Sequence, residues 1–217
     1  MDNRFPPPWS LSGRGCILLY RFSREFVETA AGVPPQLRER YSGGIGAVML
    51  VDYGRSPVGP YGELLFIPGR FTLNGARWAS ITRIFVSSQD SVDAGRRNWA
   101  IPKELAPFRF ETSGDGQKQI LVGTDEEPIA RVELDPYGPR FPLHTALLPF
   151  PLWQPDGNRV LLTRFQGKGR GRLARVTTVQ TDGIRFPDVS GGRLLAAVFV
   201  DPFKVTFPEP QVVSRSG

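Results

Sequence analysis

The chain has 217 residues, of which 40% are hydrophobic and 11% aromatic, so it can bury a core and lacks the composition of a disordered protein. Its one cysteine, Cys16, excludes an intrachain disulfide, and no apolar run is long enough to span a membrane or to form a signal peptide. The formal net charge of +6 fits an anionic partner without identifying one. We expect a single cytoplasmic domain over residues 1–217 that makes no membrane contact.

The first elements are predicted from apolar spacing and capping residues. A strand is expected near residues 14–21, and Ser23 is placed to cap one short helix that extends to Ala31. The helix must end at Gly32-Val33-Pro34-Pro35, because proline cannot continue it and restricts the residue before it. We expect no second helix in this early region.

From residue 44 onward, short apolar runs separated by Gly, Pro, Asn and Asp predict a succession of strands. A Pro-rich connector is expected over residues 135–157, and the apolar run 194–200 predicts a strand that is covered on both faces. The pattern indicates a mainly β protein with minor α content. The predicted strands are 45–53, 61–67, 81–86, 108–111, 119–122, 129–134, 159–165, 173–180 and 194–207.

The basic residues are scattered except in the segment 164–172, where glycines alternate with lysine and arginine. We interpret this segment as the tip of a hairpin. Single-stranded nucleic acid binding uses stacking aromatics beside the cations, and only Phe165 lies in the segment. No nucleic acid partner is therefore expected.

The segment Gly95-Arg96-Arg97-Asn98-Trp99-Ala100-Ile101-Pro102-Lys103-Glu104 places a lysine between apolar residues, where it can be kept dry. In length and order it resembles the Gly-Arg-Glu…Pro-Lys-Lys signature of the acetoacetate decarboxylase family. That resemblance implies that Lys103 corresponds to the lysine that forms a Schiff base. It also implies an antiparallel, closed or cone-shaped β-barrel.

Further segments carry the same resemblance. The run from Ser56 to Glu63, which includes Tyr61, is similar to the loop and strand that hold the family's active-site glutamate, and this implies that role for Glu63. Arg14 stands nearest to the position of a functional arginine in the first strand, and residues 201–208 are also similar to the family.

The chemistry explains why these residue types are needed. A β-keto acid loses carbon dioxide readily when a protonated imine accepts the electrons left behind, and a neutral lysine amine can form that imine. We expect Lys103 to form the imine, Glu63 to move a proton, and Arg14 or Arg96 to hold the substrate carboxylate. Tyr61 and Trp99 are expected beside the substrate. No metal or organic cofactor is expected.

Two charges differ from the family's pattern, since Glu104 replaces the second lysine and Arg97 replaces a glutamate. If residues 102–105 are extended, Lys103 and Glu104 face opposite sides, and Glu104 leaves the amine free to react. We predict that Arg97 and Glu104 form an ion pair away from the site.

Three functions remain open at this point. The first is decarboxylation of acetoacetate or a related β-keto acid, and the second is a Schiff-base aldolase or dehydratase that acts on a keto acid. The third is a non-catalytic barrel that binds a small ligand. A homo-oligomer is possible, as the family resemblance implies. The one histidine, His144, has no sequence partner that would predict a catalytic base.

Overall fold

The computed structural model describes residues 4–73, 75–145 and 151–214. Strands dominate this part of the chain, together with three short α-helices. The helices are α1 (Arg24–Thr29), α2 (Pro35–Arg38) and α3 (Gln89–Trp99). The strands are β1 (Trp9–Arg21), β2 (Gly46–Arg55), β3 (Tyr61–Ile67), β4 (Arg70–Leu73), β5 (Ala76–Ala79), β6 (Arg83–Val86), β7 (Lys103–Leu105), β8 (Phe108–Thr112), β9 (Lys118–Gly123), β10 (Pro128–His144), β11 (Leu152–Asp156), β12 (Arg159–Thr163), β13 (Gln166–Thr181), β14 (Arg193–Phe207) and β15 (Gln211–Ser214).

Two sheets contain these strands. The larger one has ten strands in the order β7-β6-β3-β2-β1-β14-β13-β10-β9-β8, and the smaller has the order β15-β12-β11-β5-β4. Most neighbours are antiparallel, whereas β6–β7 and β5–β11 are parallel. The mainly β prediction is confirmed. The closed barrel is not, because the strand order describes a curled sheet with β7 and β8 at its ends.

The two faces of the large sheet build two separate apolar clusters. On one face, Leu18, Leu64 and Phe66 pack with Phe22 and Phe186. The other face packs against α3 and includes Val51, Leu65, Ile84 and Trp99. Successive residues of a strand point to opposite faces, so β3, which is buried along its whole length, contributes to both clusters. Among the described residues, no helix is long and apolar enough to cross a membrane.

The helix predictions were partly wrong. Helix α1 begins after Ser23, whose side chain accepts a hydrogen bond from the Phe26 N–H, as expected. A second early helix, α2, follows because Pro35 occupies the first turn, where its missing N–H costs nothing. Helix α3 was not predicted either, since Gly95 and the charged residues around it are more typical of a turn.

The interpretation of segment 164–172 as a hairpin tip was wrong, because β13 continues through it. Its glycines alternate with cations at the strand period of two, which places them on one face. A side chain at Gly169 would come within 2.9 Å of the Phe203 Cβ, and one at Gly171 within 2.6 Å of Leu143. The alternation therefore serves close packing across strands.

The predicted Pro-rich connector was also wrong at both ends, because its first part belongs to β10 and its last part contains β11. Residues 146–150 of the predicted connector lie outside the described residues. Strand β10 pairs with β9 only as far as Leu134, so the prolines that follow it interrupt no hydrogen bond on that side. In β14, Leu194 and Leu195 are 39% and 37% exposed, which corrects the expectation that both faces are covered.

Candidate active site

Glu63 lies in the middle of β3 with aliphatic neighbours on both sides. In the sheet it stands opposite Val51 of β2 and Val86 of β6. Only 5% of the residue is exposed. A carboxylate in such surroundings is stable only with charged or hydrogen-bonding partners, so the groups that contact Glu63 define the site.

Lys103 supplies the charged partner. It begins β7, opposite Ile84 on the parallel strand β6, and its side chain is 6% exposed. Its Nζ atom lies 3.0 Å from Oε2 of Glu63 and donates to the Ser91 hydroxyl at 2.9 Å. The same nitrogen lies 5.2 Å from the centre of the Tyr61 ring. The amine is thus enclosed by a carboxylate, a hydroxyl and an aromatic face.

Helix α3 shapes the space that this lysine occupies. A Cβ atom at Gly95 would lie only 2.6 Å from the Lys103 Cδ, so the glycine lets the lysine stem pass against the helix. The helix ends at Ala100, which adopts a left-handed conformation with φ of 52°. The N–H of Ala100 bonds the Arg96 carbonyl and that of Ile101 bonds the Gly95 carbonyl, a pattern that closes the helix and turns the chain toward β7.

Two tyrosines complete the polar cluster. Tyr53 donates its hydroxyl to Oε1 of Glu63 at 3.1 Å, and its ring centre lies 4.7 Å from that of Tyr61. Burial, followed by the negative charge of Glu63, raises the pKa of Tyr53 and that of Tyr61 well above the usual range. Both hydroxyls are therefore protonated and able to donate at neutral pH.

The Lys103–Glu63 pair can change its charge state without exchanging a proton with solvent. Each partner would pay a desolvation cost of several kcal/mol as an isolated ion. If the proton moves from the ammonium to the carboxylate, both become neutral and remain hydrogen-bonded. The product is a free amine beside a carboxylic acid, which is a nucleophile and a proton donor in one place.

Glu63 and Tyr53 also line a cavity of about 200 Å³ on the same face of the sheet. Most of the wall is hydrocarbon, and Lys103 lies behind Glu63 without lining it. Residues that line the cavity include Ile17, Leu19, Met49, Val51, Leu65, Ile67, Ile81, Leu152, Phe165, Val200, Val205 and Phe207, together with His144, Lys168 and Lys204.

The structure brings Lys103, Glu63 and Tyr61 together but separates the other predicted residues from them. Arg14 is half exposed and paired with Asp52 at 3.0 Å, and it lines a neighbouring groove. Arg96 is exposed on the outer side of α3. Neither arginine is among the residues that line the cavity, so the expected contact with a substrate carboxylate is not supported by their positions.

Trp99 is buried but also lies outside the cavity wall. Its indole N–H donates to the Pro208 carbonyl at 2.8 Å, and its ring packs edge-on against Trp9 at 5.2 Å between ring centres. It anchors the end of α3 and is not among the residues that line the cavity, and its expected position beside the substrate stays a prediction.

The predicted ion pair between Arg97 and Glu104 was wrong. Arg97 donates to the backbone carbonyl of Arg4, and no ion pair joins it to Glu104 among the described residues. Glu104 is exposed and faces away from the buried Lys103, as alternation along an extended strand requires.

Sequence reasoning missed Ser91, Tyr53 and Gly95. Ser91 was missed because α3 was not predicted, although Ser88 followed by Gln89 and Asp90 is a typical helix start, and the Ser88 side chain does cap it. Tyr53 was available at the end of a predicted strand, with its partner Tyr61 in the next strand. Within the described residues, no group of three His, Cys, Asp or Glu side chains is placed to hold a metal ion.

No protein-family model matches the chain. Over 105 residues, which make up 47% of this chain and 34% of the relative, it is 32% identical to Protein NEOXANTHIN-DEFICIENT 1 from Oryza sativa subsp. japonica. The match thus spans about a third of the length of the curated relatives.

Solved structures match nearly the whole chain. Acetoacetate decarboxylase from Legionella pneumophila subsp. pneumophila has a TM-score of 0.76 at 13% identity, with 99% of this chain and 90% of that one covered. The enduracididine biosynthesis enzyme MppR complexed with pyruvate has a TM-score of 0.64 at 16% identity, with 97% and 92% covered. At these identities the likeness is one of fold. The chain therefore shares its fold with acetoacetate decarboxylase, as its sequence motifs predicted.

Proposed function

We propose that this protein is a cofactor-independent lyase that decarboxylates a β-keto acid through an imine on Lys103. The observation that carries the proposal is a buried amine 3.0 Å from the carboxylate of Glu63, a residue that also lines a largely apolar cavity. The structural neighbours support it, since they are acetoacetate decarboxylase and an enzyme that binds pyruvate, itself a keto acid.

The first step is activation of the amine. Lys103 gives a proton to Glu63, and the neutral nitrogen attacks the ketone carbon of the substrate. A proton passes from this nitrogen to the former carbonyl oxygen, which becomes a hydroxyl group. Glu63 then protonates the hydroxyl group, which leaves as water, so that a protonated imine remains on Lys103. Glu63 is then an ionised carboxylate again, and it lies beside the positively charged imine.

The second step is loss of carbon dioxide. The bond between the carboxylate and the α-carbon breaks, and its electron pair forms a carbon–carbon double bond while the imine nitrogen takes up the displaced electrons. The enamine then accepts a proton at the α-carbon; the overall reaction consumes this proton, which the Glu63 carboxylate takes up from solvent and passes to the carbon. Water hydrolyses the new imine, and this step releases the ketone and restores the amine.

This scheme gives no role to Arg14 or Arg96. The Tyr53 and Tyr61 hydroxyls stay protonated because burial raises the pKa of each, and with the Ser91 hydroxyl they form the neutral polar groups around the pair.

Non-catalytic binding of an apolar ligand is a second candidate, and one observation favours it. The Lys103 nitrogen already bonds Glu63 and Ser91 and does not line the cavity. In this case the Lys103–Glu63 pair has only a structural role, and the cavity binds the ligand.

Borohydride trapping separates these functions. The protein is incubated with acetoacetate or a longer β-keto acid, reduced, and analysed by intact mass and peptide mapping. We expect a covalent adduct on Lys103 in the wild type and in Glu104→Gln, the matched control at the exposed neighbour, and none in Lys103→Arg. Release of carbon dioxide then distinguishes a decarboxylase from an aldolase or dehydratase. The absence of any adduct with all substrates would leave only ligand binding.

A further inference from the structure

A row of basic residues crosses the large sheet on the face that the cavity does not use. Residues that stand opposite each other on neighbouring strands share a face of the sheet. The register joins Arg55 of β2, Ser12 of β1, Lys204 of β14, Lys168 of β13 and His144 of β10 into one such row. At a strand spacing of about 4.8 Å the row is about 19 Å long. Strand pairing thus brings together cations that are far apart in the sequence.

The sheet curls toward the face that carries this row. The apolar cluster on that face contains Phe85 of β6 and packs against Phe108 of β8, so it draws residues from near both ends of the strand order. Leu18 belongs to the same cluster, and Ser12 lies an even number of residues before it on β1, which places the row on this concave face. The row lines a groove of about 920 Å³ there.

Lys168 and Lys204 form the centre of the row. They stand directly opposite each other, and both are exposed. Their strand neighbours Gly167 and Val205 line the apolar cavity and not the groove, so alternation directs the two ammonium groups into the groove. Like charges in this arrangement are destabilising. A sequence that keeps them together gives up stability there, which is typical of functional sites.

The groove keeps an excess of positive charge. Arg14 is paired with Asp52 at 3.0 Å, and Asp201 is the remaining acid among the described residues of the groove. Within the described part of the chain, no salt bridge or side-chain hydrogen bond is formed by Arg55, Lys168, Arg170 or Lys204. Four cations against one acid leave a balance of +3.

This charge selects among anionic ligands. A monocarboxylate would neutralise one cation and leave the others facing each other. Two phosphate groups carry about three to four negative charges at neutral pH, and their oxygens accept hydrogen bonds from several lysines and arginines at once. The volume of the groove lies within the roughly 300–1,000 Å³ that is typical of small-molecule sites.

The shape of the groove disfavours two larger polyanions. A flat membrane surface does not reach into a concave face. Single-stranded nucleic acid stacks its bases on aromatic rings. Among the described residues of the groove, Phe203 has the one phenyl ring, and this ring packs against Tyr53 on the cavity face at 5.8 Å between ring centres.

We propose that this groove binds a small molecule with two or more phosphate groups, which lie between Lys168 and Lys204 and are contacted by Arg55 and Arg170. The proposal goes beyond the proposed lyase activity and does not depend on it, because neither Lys103 nor Glu63 lines the groove.

A binding experiment tests the ligand class. Calorimetric titration is carried out with tripolyphosphate and with acetate at constant ionic strength, so that screening is the same throughout. We expect the wild type and Lys103→Arg to bind tripolyphosphate with the same affinity, and neither to bind acetate measurably. The double variant Lys168→Gln/Lys204→Gln should bind tripolyphosphate at least about ten-fold more weakly.

Arg170→Gln and Arg175→Gln are a matched pair for the same titration. They remove the same charge from the same strand, but Arg175 lies on the other face and does not line the groove. Arg170→Gln should weaken binding, and Arg175→Gln should bind like the wild type. Equal weakening in both variants would overturn the proposal, because the attraction would then be a general effect of net charge.

Thermal unfolding supplies a second readout. Without an anion, Lys168→Gln should unfold at a higher temperature than the wild type, because the like-charge pair is gone. Excess tripolyphosphate should stabilise the wild type more than the variant and reverse the order. An order that stays the same, the absence of tripolyphosphate binding, or an affinity for oligothymidylate that rises with its length would each overturn the proposed small-molecule site.

Discussion

Glu63 and Leu64 are neighbours on β3, and both are buried, with 5% and 0% of the residue exposed. Leu64 points into a cluster of hydrophobic side chains, whereas Glu63 points toward a lysine, a serine and two tyrosines. Burial is nearly the same on the two faces, but among the described residues the buried ion pair lies on one face alone. The candidate site therefore differs from the rest of the core in the polar partners of its side chains and not in how deeply those side chains are buried.

The largest effect is expected when the polar face loses one partner. Glu63→Gln leaves the Lys103 ammonium buried without a counter-charge, which should cost about 3–5 kcal/mol of unfolding free energy. Urea denaturation measures this cost. In the double variant Glu63→Gln/Lys103→Met the unpaired charge is gone, and most of the loss should be recovered. A double variant as unstable as the single one would mean that the pair does not set the stability of this face.

On the apolar face of the sheet, we expect that a second substitution does not recover the stability lost through the first one. Leu64→Ala removes hydrocarbon from a filled region and should cost about 2–5 kcal/mol, depending on how far the cavity collapses. Combining it with Lys103→Met should give additive losses in urea denaturation, because the two side chains lie on opposite faces of the sheet. A strong non-additive term would contradict the separation of the two faces.

Gly95 tests how tightly the lysine stem is held. Alanine is about 1 kcal/mol better than glycine inside a helix, but its methyl group would press on Lys103, and overpacking typically costs about 1–3 kcal/mol. We expect Gly95→Ala to destabilise the wild type by up to about 2 kcal/mol. In a Lys103→Ala background the same change should stabilise by about 1 kcal/mol. Thermal unfolding of the four proteins shows whether the sign reverses.

The smallest effect is expected at Cys16, where the pH dependence of the unfolding free energy shows how strongly the apolar face is shielded from water. Burial raises the pKa of this thiol from 9.0 to about 12, so the unfolded chain ionises first as the pH rises. Stability is then lost as the pH rises above about 9, by about 1 kcal/mol over the next pH unit. Urea denaturation at the two pH values should show a loss about 1 kcal/mol larger in the wild type than in Cys16→Ala, in which the buried tyrosines still contribute to the slope. Equal slopes would mean that the thiol is not desolvated.

Much of the sheet could be predicted because its strands alternate or are uniformly apolar. The run Tyr61–Ile67 was predicted with the bounds that β3 has, since every residue in it is buried. In contrast, β13 was predicted too short. Its glycines alternate with cations and therefore resemble a turn, and only the side chains that pack over these glycines in the structure show that the segment is a strand. The long-range contact that makes each glycine necessary is not visible in the local sequence.

The candidate site could be predicted only in part, for a similar reason. The resemblance to the acetoacetate decarboxylase family placed Lys103 and Glu63 in one site, and they are separated by 40 positions in the chain and 3.0 Å in space. Arg14 and Arg96 were chosen by position in the motif, but Arg14 meets Asp52 directly across the strand pair and Arg96 faces outward on a helix that was not predicted. Whether an arginine points toward the site or away from it can be predicted only after the helix or strand that carries the arginine has been predicted.

The position of β7 at the end of the large sheet has a consequence for access to the amine. This strand is three residues long and is hydrogen-bonded within the sheet only to β6, so its opening breaks few bonds. Short edge strands are among the first segments to exchange their amide hydrogens, while central strands such as β1 exchange only on global unfolding. The lysine is therefore carried by an edge of the sheet, and we expect this edge to open locally before the central strands do.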